Sequence, residues 1–479
     1  MRSRSRGAEL RVAGIRSVLP WLAGLVLAGL FAIGAGPRDP ARTQELVTKA
    51  LALGDHAGEC SQCHSAHGTA DLAFEHALIG PDDNTLCLRC HTSPWAGGSF
   101  ADTWTYSGSS HGSSPDMIWP GPTPPARTEV TAANKCVNCH DPHGRPDASG
   151  LVPSLLFSRE ESLCLTCHDG SPAGKNIASE FAKPYRHPTT SYTGIHKGAQ
   201  ESMATDFGAA PENNRHAECE DCHNSHVSYP DRSGPPIGWE LSRLNLGVGR
   251  VMVQNGGPGA PPAYFFTAGP DTLSTPRAEY QLCFKCHSSW TIQPTGQTDL
   301  ARELNPSNPS YHPVEDVGRN TTIQPGAFVM GWSAMSLTRC GDCHGSDYEG
   351  APRGPHGSAY RYILRQPYTA SPLSRSMSSD EICFRCHAYD VYANPDALPM
   401  VLGYSRFNEP GAAKGHARHV GEQQVPCFAC HATHGSTGHA HLVATGRAPG
   451  IVSYSESPTG GTCQPTCHGP ETYTVNYAR

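Results

Sequence analysis

The stretch that decides the fold is ECSQCHSAHG, residues 59–68. Two cysteines flank two residues, a histidine follows at once, and a second histidine lies three positions further on. One copy fits several kinds of site, because CxxC pairs bind zinc, form disulfides in exported proteins and act as redox dithiols. Its meaning therefore depends on how the rest of the chain repeats it.

The pattern recurs ten times and uses all twenty cysteines. The copies, numbered as motifs 1 to 10 in chain order, are CSQCH (60–64), CLRCH (87–91), CVNCH (136–140), CLTCH (164–168), CEDCH (219–223), CFKCH (283–287), CGDCH (340–344), CFRCH (383–387), CFACH (427–431) and CQPTCH (463–468). Neither disulfides nor zinc sites require a histidine directly after each pair, whereas c-type haem attachment specifies one. The sequence therefore predicts ten covalently bound haems c.

The spacing explains the chemistry, because residues at i, i+3 and i+4 share one face of a helical turn. Two thiols can then bond the vinyl groups of one porphyrin while the imidazole reaches its iron. The predicted attachment residues are Cys60, Cys63, Cys87, Cys90, Cys136, Cys139, Cys164, Cys167, Cys219, Cys222, Cys283, Cys286, Cys340, Cys343, Cys383, Cys386, Cys427, Cys430, Cys463 and Cys467. The predicted proximal ligands are His64, His91, His140, His168, His223, His287, His344, His387, His431 and His468. In motif 10 the extra residue must bulge out of the turn, where Pro465 already disfavours a helix.

The N-terminus predicts export. Five arginines within residues 2–16 precede an apolar run at 18–33 and small residues at 34–36, the layout of a signal peptide over residues 1–36. An uncleaved anchor is the alternative, since the run is near the lower length limit for a membrane span. No later segment is long and apolar enough to cross a membrane.

The composition argues against an ordinary apolar core. Only 37% of residues are hydrophobic, while 50 glycines and 42 prolines favour loops and turns. Such a chain needs something besides aliphatic packing to hold it together. The net charge of −7 disfavours nucleic acid and anionic membrane surfaces as partners.

The motifs come in pairs, which predict five two-haem modules. Modules 1 to 5 span residues 41–110, 111–186, 187–300, 301–402 and 403–479. The first motif of a module usually carries a further histidine three positions after its own. Module 4 has Asp347 there, and His356 is the substitute.

Helix-start signals precede the second motifs. SREESLCLTCH and SSDEICFRCH fit a capping box, and TPRAEYQLCFKCH offers Thr275 as N-cap with Pro276 at the first helical position. We therefore expect the second haem of each module on a short helix and the first on a turn. The Gly/Pro-rich insertion at 255–270 is predicted to be a surface loop whose aromatic residues, Tyr264, Phe265 and Phe266, pack on a haem or a partner.

The segments CHDPHG, LCLTCHDG, YHPVED and CGDCHGSDYEGAPRGPHGS resemble multihaem cytochromes c of the doubled-CxxCH type, over nearly all of the mature chain. The resemblance implies a mostly irregular fold with short α-helices, little or no β-sheet and a core of stacked haems. It implies electron transfer in the periplasm or on the outside of a Gram-negative bacterium. Redox partner proteins, such as other cytochromes or membrane oxidoreductases, would then be the partners, with no particular one indicated.

Sixteen histidines remain once the proximal ligands are assigned, whereas the eight methionines recur in no common context. Two imidazoles per iron are therefore favoured, and such haems have lower potentials than His/Met haems. The predicted distal ligands are His67, His143, His226 and His434 after first motifs, His111, His187, His312, His356 and His419 in turn-like contexts, and His76 in module 1. Histidines held in reserve are His56, His196, His216, His416, His439 and His441. The sequence leaves open which distal histidine serves which haem.

Three functions compete. The first is a chain of ten bis-histidine haems that carries electrons in the cell envelope or outside the cell, with a filament of repeated copies as a variant. The second is a reductase or oxidase of a small nitrogen or sulfur compound with one open haem iron, for which motif 10 is the natural site. The third is metal storage, which depends on the single cluster HGSTGHAHL at 434–442.

The number of attached haems tests the central prediction. We expect ten haems per chain by pyridine haemochrome assay on the purified holoprotein, because every cysteine belongs to one of the ten motifs. Fewer than nine would contradict the assignment.

Overall fold

A computed structural model describes residues 60–65, 78–81, 83–89, 91, 106–115, 117–120, 136–147, 150–190, 192, 215–230, 240–269, 277–294, 296–371, 374–407 and 415–475. The chain divides into two compact units. One comprises Met1–Arg89 and Asp141–Leu155, and the other comprises Cys90–His140 and Leu156–Arg479. The predicted signal peptide and His56, His67, His76, His196, Cys90, Thr275 and Pro276 lie outside the described residues.

The α-helices of the described chain are four to nine residues long. They are α1 Asn84–Cys87, α2 Ser110–Ser113, α3 Glu160–Cys167, α4 Ile177–Phe181, α5 Cys219–Cys222, α6 Glu279–His287, α7 Leu300–Glu303, α8 Cys340–Cys343, α9 Tyr389–Tyr392 and α10 Pro399–Leu402. Isolated helices of this length are unstable in water. Tertiary contacts must therefore hold them.

Single turns of other helix types connect these elements. A π-helix spans Ala417–Glu422. The 3₁₀ turns are Cys60–Gln62, Tyr106–Gly108, Cys136–Asn138, Pro153–Leu155, Arg243–Asn245, Pro325–Ala327, Arg361–Ile363, Ile382–Arg385, Gly403–Ser405, Cys427–Ala429 and Ala440–Leu442.

The strands form small antiparallel sheets. They are β1 Pro146–Asp147, β2 Gly150–Leu151, β3 Tyr185–Arg186, β4 Arg250–Gln254, β5 Ala263–Thr267, β6 Ser310–Tyr311, β7 Gly357–Ser358, β8 Gly435–Ser436, β9 Ile451–Ser457, β10 Gly460–Pro465 and β11 Glu471–Thr474. The pairs are β1–β2, β3–β7, β4–β5 and β6–β8, and β10 lies between β9 and β11. The fold is low in helix, as expected, and its sheets go beyond the little or none that the resemblance implies.

Helices carry the second motifs in modules 2 and 3, where α3 and α6 contain motifs 4 and 6. Their predicted start points were wrong. Helix α3 has Arg159 at its N-cap with no side-chain cap, and α6 begins after Ala278, whose N–H donates to Gln281 Oε1 at 3.2 Å. Motif 8 lies on a 3₁₀ turn instead of an α-helix, and the side chain of Glu381 at its N-cap accepts hydrogen bonds from Thr369 instead of capping the turn.

Motif 10 lies in a sheet instead of on a helix. Cys463 is on β10, and the pairing register with β9 shifts between Gln464 and Pro465. A β-bulge accommodates one extra residue in a strand. The extra residue of this bulge is Val452 of β9, because Gln464 pairs with Ser453 and Pro465 pairs with Ile451. The bulge therefore does not account for the additional residue of CQPTCH, and the sheet itself was not predicted from the sequence.

The first motifs lie on single turns, as expected, and two of the turns are capped by their own aspartate. Asp221 Oδ2 accepts the N–H of Glu218 at 2.7 Å, and Asp342 Oδ2 accepts the N–H of Arg339 at 2.8 Å. Each aspartate directly precedes the second cysteine of its motif. The pattern CxDCH is therefore a sequence signal for a self-capped turn.

The insertion in module 3 is a hairpin whose tip alone is loop. Strands β4 and β5 pair over five residues from Arg250–Thr267 to Gln254–Ala263. Phe266 stacks on Trp290 with ring centroids 6.2 Å apart, and the Tyr264 hydroxyl donates to Asp299 at 3.1 Å. The aromatic residues predicted to lie in a surface loop are therefore part of a strand.

Apolar packing is confined to small clusters. The largest buried group in the described part of the chain joins Phe284, Ala301, Leu304 and Val314. No helix among the described residues is long and apolar enough to cross a membrane.

Strand β8 passes close to the last residue of α7 at Gly435, and a substitution of this glycine tests how tight the approach is. A Cβ there would lie 1.8 Å from the carbonyl oxygen of Glu303, a backbone atom that has no rotamer in which to move away. Gly435→Ala is expected to lower the free energy of unfolding by about 1–3 kcal/mol through overpacking, measured by urea unfolding of the holoprotein.

The matched control is Gly438→Ala, since a Cβ at Gly438 meets nothing within 4 Å. It should change the free energy of unfolding by less than about 0.5 kcal/mol. Equal effects at the two positions would contradict the steric argument.

Candidate functional site

A backbone hydrogen bond closes the turn in motifs 1, 3, 4, 5, 7, 8 and 9. The N–H of the motif histidine donates to the carbonyl of the first cysteine, as from His64 to Cys60 at 2.8 Å and from His387 to Cys383 at 3.0 Å. The same bond joins the equivalent residues of motifs 3, 4, 5, 7 and 9 at 2.8–3.0 Å. Both thiols and the imidazole of a motif are thereby held on one local scaffold.

Eight motif histidines face a second histidine at nearly constant distance. The ring centroids are 6.0 Å apart for His64–His143, His140–His226 and His168–His111, 6.2 Å for His223–His356 and His287–His187, 6.4 Å for His344–His434, and 6.1 Å for His431–His416 and His468–His419. These pairs bring together residues far apart in sequence, so tertiary structure creates them.

This distance fits one metal ion held between two imidazoles. An imidazole nitrogen lies about 2.0–2.1 Å from a bound ion, and its ring centre roughly 1.1 Å behind it, which gives centroids about 6.3 Å apart. Direct stacking of two neutral rings does not require a spacing this constant, because aromatic pairs range over about 4.5–7 Å. The donor set therefore fits an iron with two axial histidines.

The angle between the paired rings alternates along the chain. Odd-numbered motifs have nearly parallel rings, at 21°, 18°, 15°, 17° and 29° for motifs 1, 3, 5, 7 and 9. Motifs 4, 6 and 10 have rings tilted by 63°, 47° and 34°. In modules 2 and 3 the first motif thus holds nearly parallel imidazoles and the second motif holds tilted ones, whereas in module 5 the two angles, 29° and 34°, are similar.

His387 of motif 8 has a different immediate environment. Phe328 stacks on it with centroids 5.6 Å apart, and Tyr392 meets it edge-on at 5.5 Å. Burial, and then the charge of His312, lowers the pKa of His387 to about 4. His312 is therefore the histidine that acts most strongly on this motif.

Backbone carbonyls fix the tautomer of six of the site histidines, whereas the buried Nδ1 atoms of His356 and His416 have no hydrogen-bond partner in the described part of the chain. The Nδ1 atoms of the six lie within hydrogen-bond distance of carbonyl oxygens at 2.6–3.1 Å, in the pairs His111–Ser225, His223–Leu244, His312–Thr433, His344–Tyr362, His419–Gly415 and His431–His441. A proton held at Nδ1 leaves the lone pair of Nε2 available, the arrangement that metal-bound histidines use.

Burial keeps these rings neutral. It lowers the pKa of His168, His226, His287 and His344 to about 4, and of His356 and His416 to about 3, with neighbouring histidines adding to the effect. A neutral imidazole is the form that binds a metal. The buried rings are thus in the ligand form at neutral pH.

One continuous cavity of about 3060 Å³ runs past motifs 4 to 10. Its walls include the first cysteine of each of these motifs and the histidine that faces each motif histidine. A site for one small ligand has about 300–1,000 Å³. The space therefore fits several large groups in a row.

Neighbouring motifs meet in the order of the sequence. The first cysteine of a second motif lies next to the first cysteine of the following module, in the pairs Cys164–Cys219, Cys283–Cys340 and Cys383–Cys427. Within a module, the two motifs also lie close together. Burial raises the pKa of the Cys139 thiol to about 12, and the nearby thiols of motif 4 add to this effect. Burial likewise raises the pKa of the Cys430 thiol to about 12, with the thiols of motif 10 adding to it. Motifs 3 to 10 therefore follow one another as a series.

The structure pairs one residue that sequence reasoning had held in reserve. His416 faces His431, and its neighbour His419 on the same π-helix faces His468. Of the other reserve histidines, His216 contacts Glu218 and Tyr192, His439 contacts Thr445 and Tyr454, and His441 contacts Asn320. The sequence signal for His416 was its position three residues before His419, because both histidines belong to one short helical segment.

A family model described as a doubled CXXCH motif matches residues 56–94 and 129–173, which contain motifs 1 to 4. These motifs indicate covalently bound c-type haem. The chain resembles a multihaem c-type cytochrome that transfers electrons. No curated protein matches, and no solved structure matches.

Two half-buried glutamates join modules of this cytochrome-like chain. Glu160 Oε1 accepts the N–H of Glu220 at 2.6 Å, and Glu279 Oε1 accepts the N–H of Gly341 at 2.7 Å. Each glutamate lies four residues before a second motif, and each amide directly follows the first cysteine of the next module. The side chain of Glu160 therefore fastens motif 5 to motif 4, and that of Glu279 fastens motif 7 to motif 6.

Glu160→Gln is expected to stabilise the holoprotein at pH 8. Burial, followed by the charge of Glu220, raises the pKa of Glu160 from 4.5 to about 9. The neutral carboxyl stabilises the fold fully below about pH 4.5, and this contribution falls as the pH rises towards 9. Glutamine stays neutral and keeps the acceptor, so urea unfolding should show a gain of about 1 kcal/mol at pH 8, allowing for solvent screening, and none at pH 4.5.

The control is Glu349→Gln, whose carboxylate is exposed and pairs with Arg385 at 3.3 Å. It should change the free energy of unfolding by less than about 0.5 kcal/mol at both pH values. A loss of stability in Glu160→Gln at pH 8 would contradict the neutral state of Glu160.

Proposed function

We propose that the chain is an electron conductor in which ten haems, each with two axial histidines, lie in the order of motifs 1 to 10. The observation that carries the proposal is the recurrence of facing imidazoles, 6.0–6.4 Å apart, along the continuous cavity that runs past motifs 4 to 10. A row of cofactors joined by their attachment sites gives electrons a path. A protein that binds a single haem would need only one such pair of imidazoles.

The protein's own residues set the position and the potential of each centre. The cysteine pairs would hold the porphyrin edges, the motif and facing histidines would be the axial ligands, and the buried walls would keep water away. The haem supplies the reversible one-electron chemistry. Two imidazoles favour lower potentials than a histidine and a methionine.

Motif 8 would complete the series with His312 as its second ligand. His312 resembles His187 in its surroundings, because each follows a two-residue strand, β6 or β3, and each donates its N–H to the carbonyl of a facing histidine. His187 faces the histidine of motif 6. The equivalent role for His312 is therefore at the second motif of module 4.

The alternative function, reduction or oxidation of a small nitrogen or sulfur compound, needs an iron with a free axial position. Motif 10 was the natural candidate because of its extra residue. There His419 lies opposite His468 with centroids 6.1 Å apart, so that a second imidazole is within reach of that iron. This contact favours the conductor over the enzyme.

Export and partners belong to the same proposal. A conductor of this kind would act in the periplasm or at the cell surface and exchange electrons with other cytochromes or membrane oxidoreductases. A filament of repeated copies stays a variant of the proposal, and His67 and His76 stay predicted ligands for module 1.

Electron paramagnetic resonance of the oxidised holoprotein tests the proposal. We expect ten low-spin ferric haems in at least two classes, because the angle between axial imidazole planes affects the signal, and no high-spin iron. A high-spin signal near one haem equivalent in the wild type would favour an open catalytic iron.

His419→Ala sharpens this test, since it should convert one haem to the high-spin form. The matched control is His439→Ala, because His439 contacts Thr445 and Tyr454 and faces no motif histidine. High-spin iron in the control, or none in His419→Ala, would contradict the ligand assignment.

A further inference from the structure

The histidine that follows a first motif does not face the iron site of its own motif. His143 follows motif 3 and faces His64 of motif 1, His226 follows motif 5 and faces His140 of motif 3, and His434 follows motif 9 and faces His344 of motif 7. In each case the partner belongs to the first motif of the preceding module. All three pairs therefore join a histidine of one module to the first motif of the module before it.

We propose that modules 1 to 4 are interlocked, each receiving from the following module the distal ligand of its first haem. This inference rests on the proposed bis-histidine haems and adds the donor of each ligand. The donors are His143, His226, His356 and His434, for motifs 1, 3, 5 and 7 respectively.

Module 4 supports the rule through its exception. Asp347 stands where a donor histidine would follow motif 7, and it pairs instead with Lys183 at 2.8 Å. His356, nine residues further along, faces His223 of motif 5. Module 4 thus still supplies a histidine to the first motif of the preceding module, although Asp347 occupies the usual position of that histidine.

Backbone pairing fastens each donated segment. His356 accepts the N–H of His187 at 3.2 Å, and His434 accepts the N–H of His312 at 2.8 Å, through their carbonyl oxygens. The residues around these bonds form the β3–β7 and β6–β8 pairs. Each strand pair therefore brings together the two distal ligands proposed for one module. These are His187 and His356 for module 3, and His312 and His434 for module 4.

The crossings leave no space for a side chain. A Cβ at Gly357, next to His356, would lie 1.9 Å from the carbonyl oxygen of Glu180, and Gly435, next to His434, meets Glu303 in the same way at 1.8 Å. The sequence His-Gly-Ser recurs at both positions. At both positions the glycine allows a close approach of two backbones.

The division of the chain into compact units agrees with the first exchange. Residues Asp141–Leu155, which carry His143, belong to the unit that contains motif 1. Motif 3 ends at His140, directly before Asp141, and belongs to the other unit.

Module 5 takes both ligands from its own sequence. His416 and His419 lie on the π-helix Ala417–Glu422 or at its N-cap, and they face the histidines of motifs 9 and 10. Modules 1 to 4 therefore depend on a following module for a complete first haem, whereas module 5 is complete by itself.

Double variants of the full-length holoprotein test which iron His356 serves. His356→Ala alone should produce one high-spin haem by electron paramagnetic resonance. If His356 and His223 share one iron, His223→Ala with His356→Ala should still give one high-spin haem, because both changes affect the same centre. The matched control, His344→Ala with His356→Ala, should give two.

The reverse counts, two with His223→Ala and one with His344→Ala, would show that His356 serves its own module and would overturn the exchange. No high-spin haem in His356→Ala would overturn it as well. High-spin iron already present in the wild type would instead contradict the proposed function, so the two failures are distinguishable.

A ligand-retaining variant protects the test against misfolding. His356→Met should fold and raise the reduction potential of one haem in a potentiometric titration. Combined with His344→Ala, it should leave the high-spin count at one while the raised potential persists. A disappearance of the raised potential in that double variant would place His356 on the iron of motif 7 and contradict the proposal.

Discussion

Two imidazole rings that face each other at about 6 Å form the contact on which the rest of this structure depends. One ring of each pair comes from a motif and is held by the local turn. The other arrives from elsewhere in the chain and must be positioned by tertiary contacts. The small strands, the 3₁₀ turns and the π-helix are best understood as the supports of that second ring.

Strong local constraints compensate for a weak apolar core. The clusters of buried apolar side chains contain few residues, as in the group around Phe284 and Leu304. Hydrogen bonds from imidazole Nδ1 to carbonyl oxygens, and the carboxyl groups of Glu160 and Glu279 between motifs, supply the positional order instead. In the proposed conductor the haems would add the apolar surface that the polypeptide lacks.

Local features were predicted better than long-range ones. The turns of the first motifs and helices at motifs 4 and 6 followed from spacing and propensity. The strand at motif 10 did not, because pairing of β10 with β9 and β11 overrides the short-range pattern. Two helices begin later than predicted, α3 after Arg159 and α6 after Ala278.

The sequence by itself determined the chemistry of the sites, since a histidine after every cysteine pair has one common use in proteins. It also determined which histidines were candidates for the second ligand. Only the tertiary structure decided their partners, including His416 for motif 9 and His356 for motif 5. The physical reason is that thioether attachment is local, over five or six residues, whereas the opposite face of a haem is reached by a residue brought there through folding.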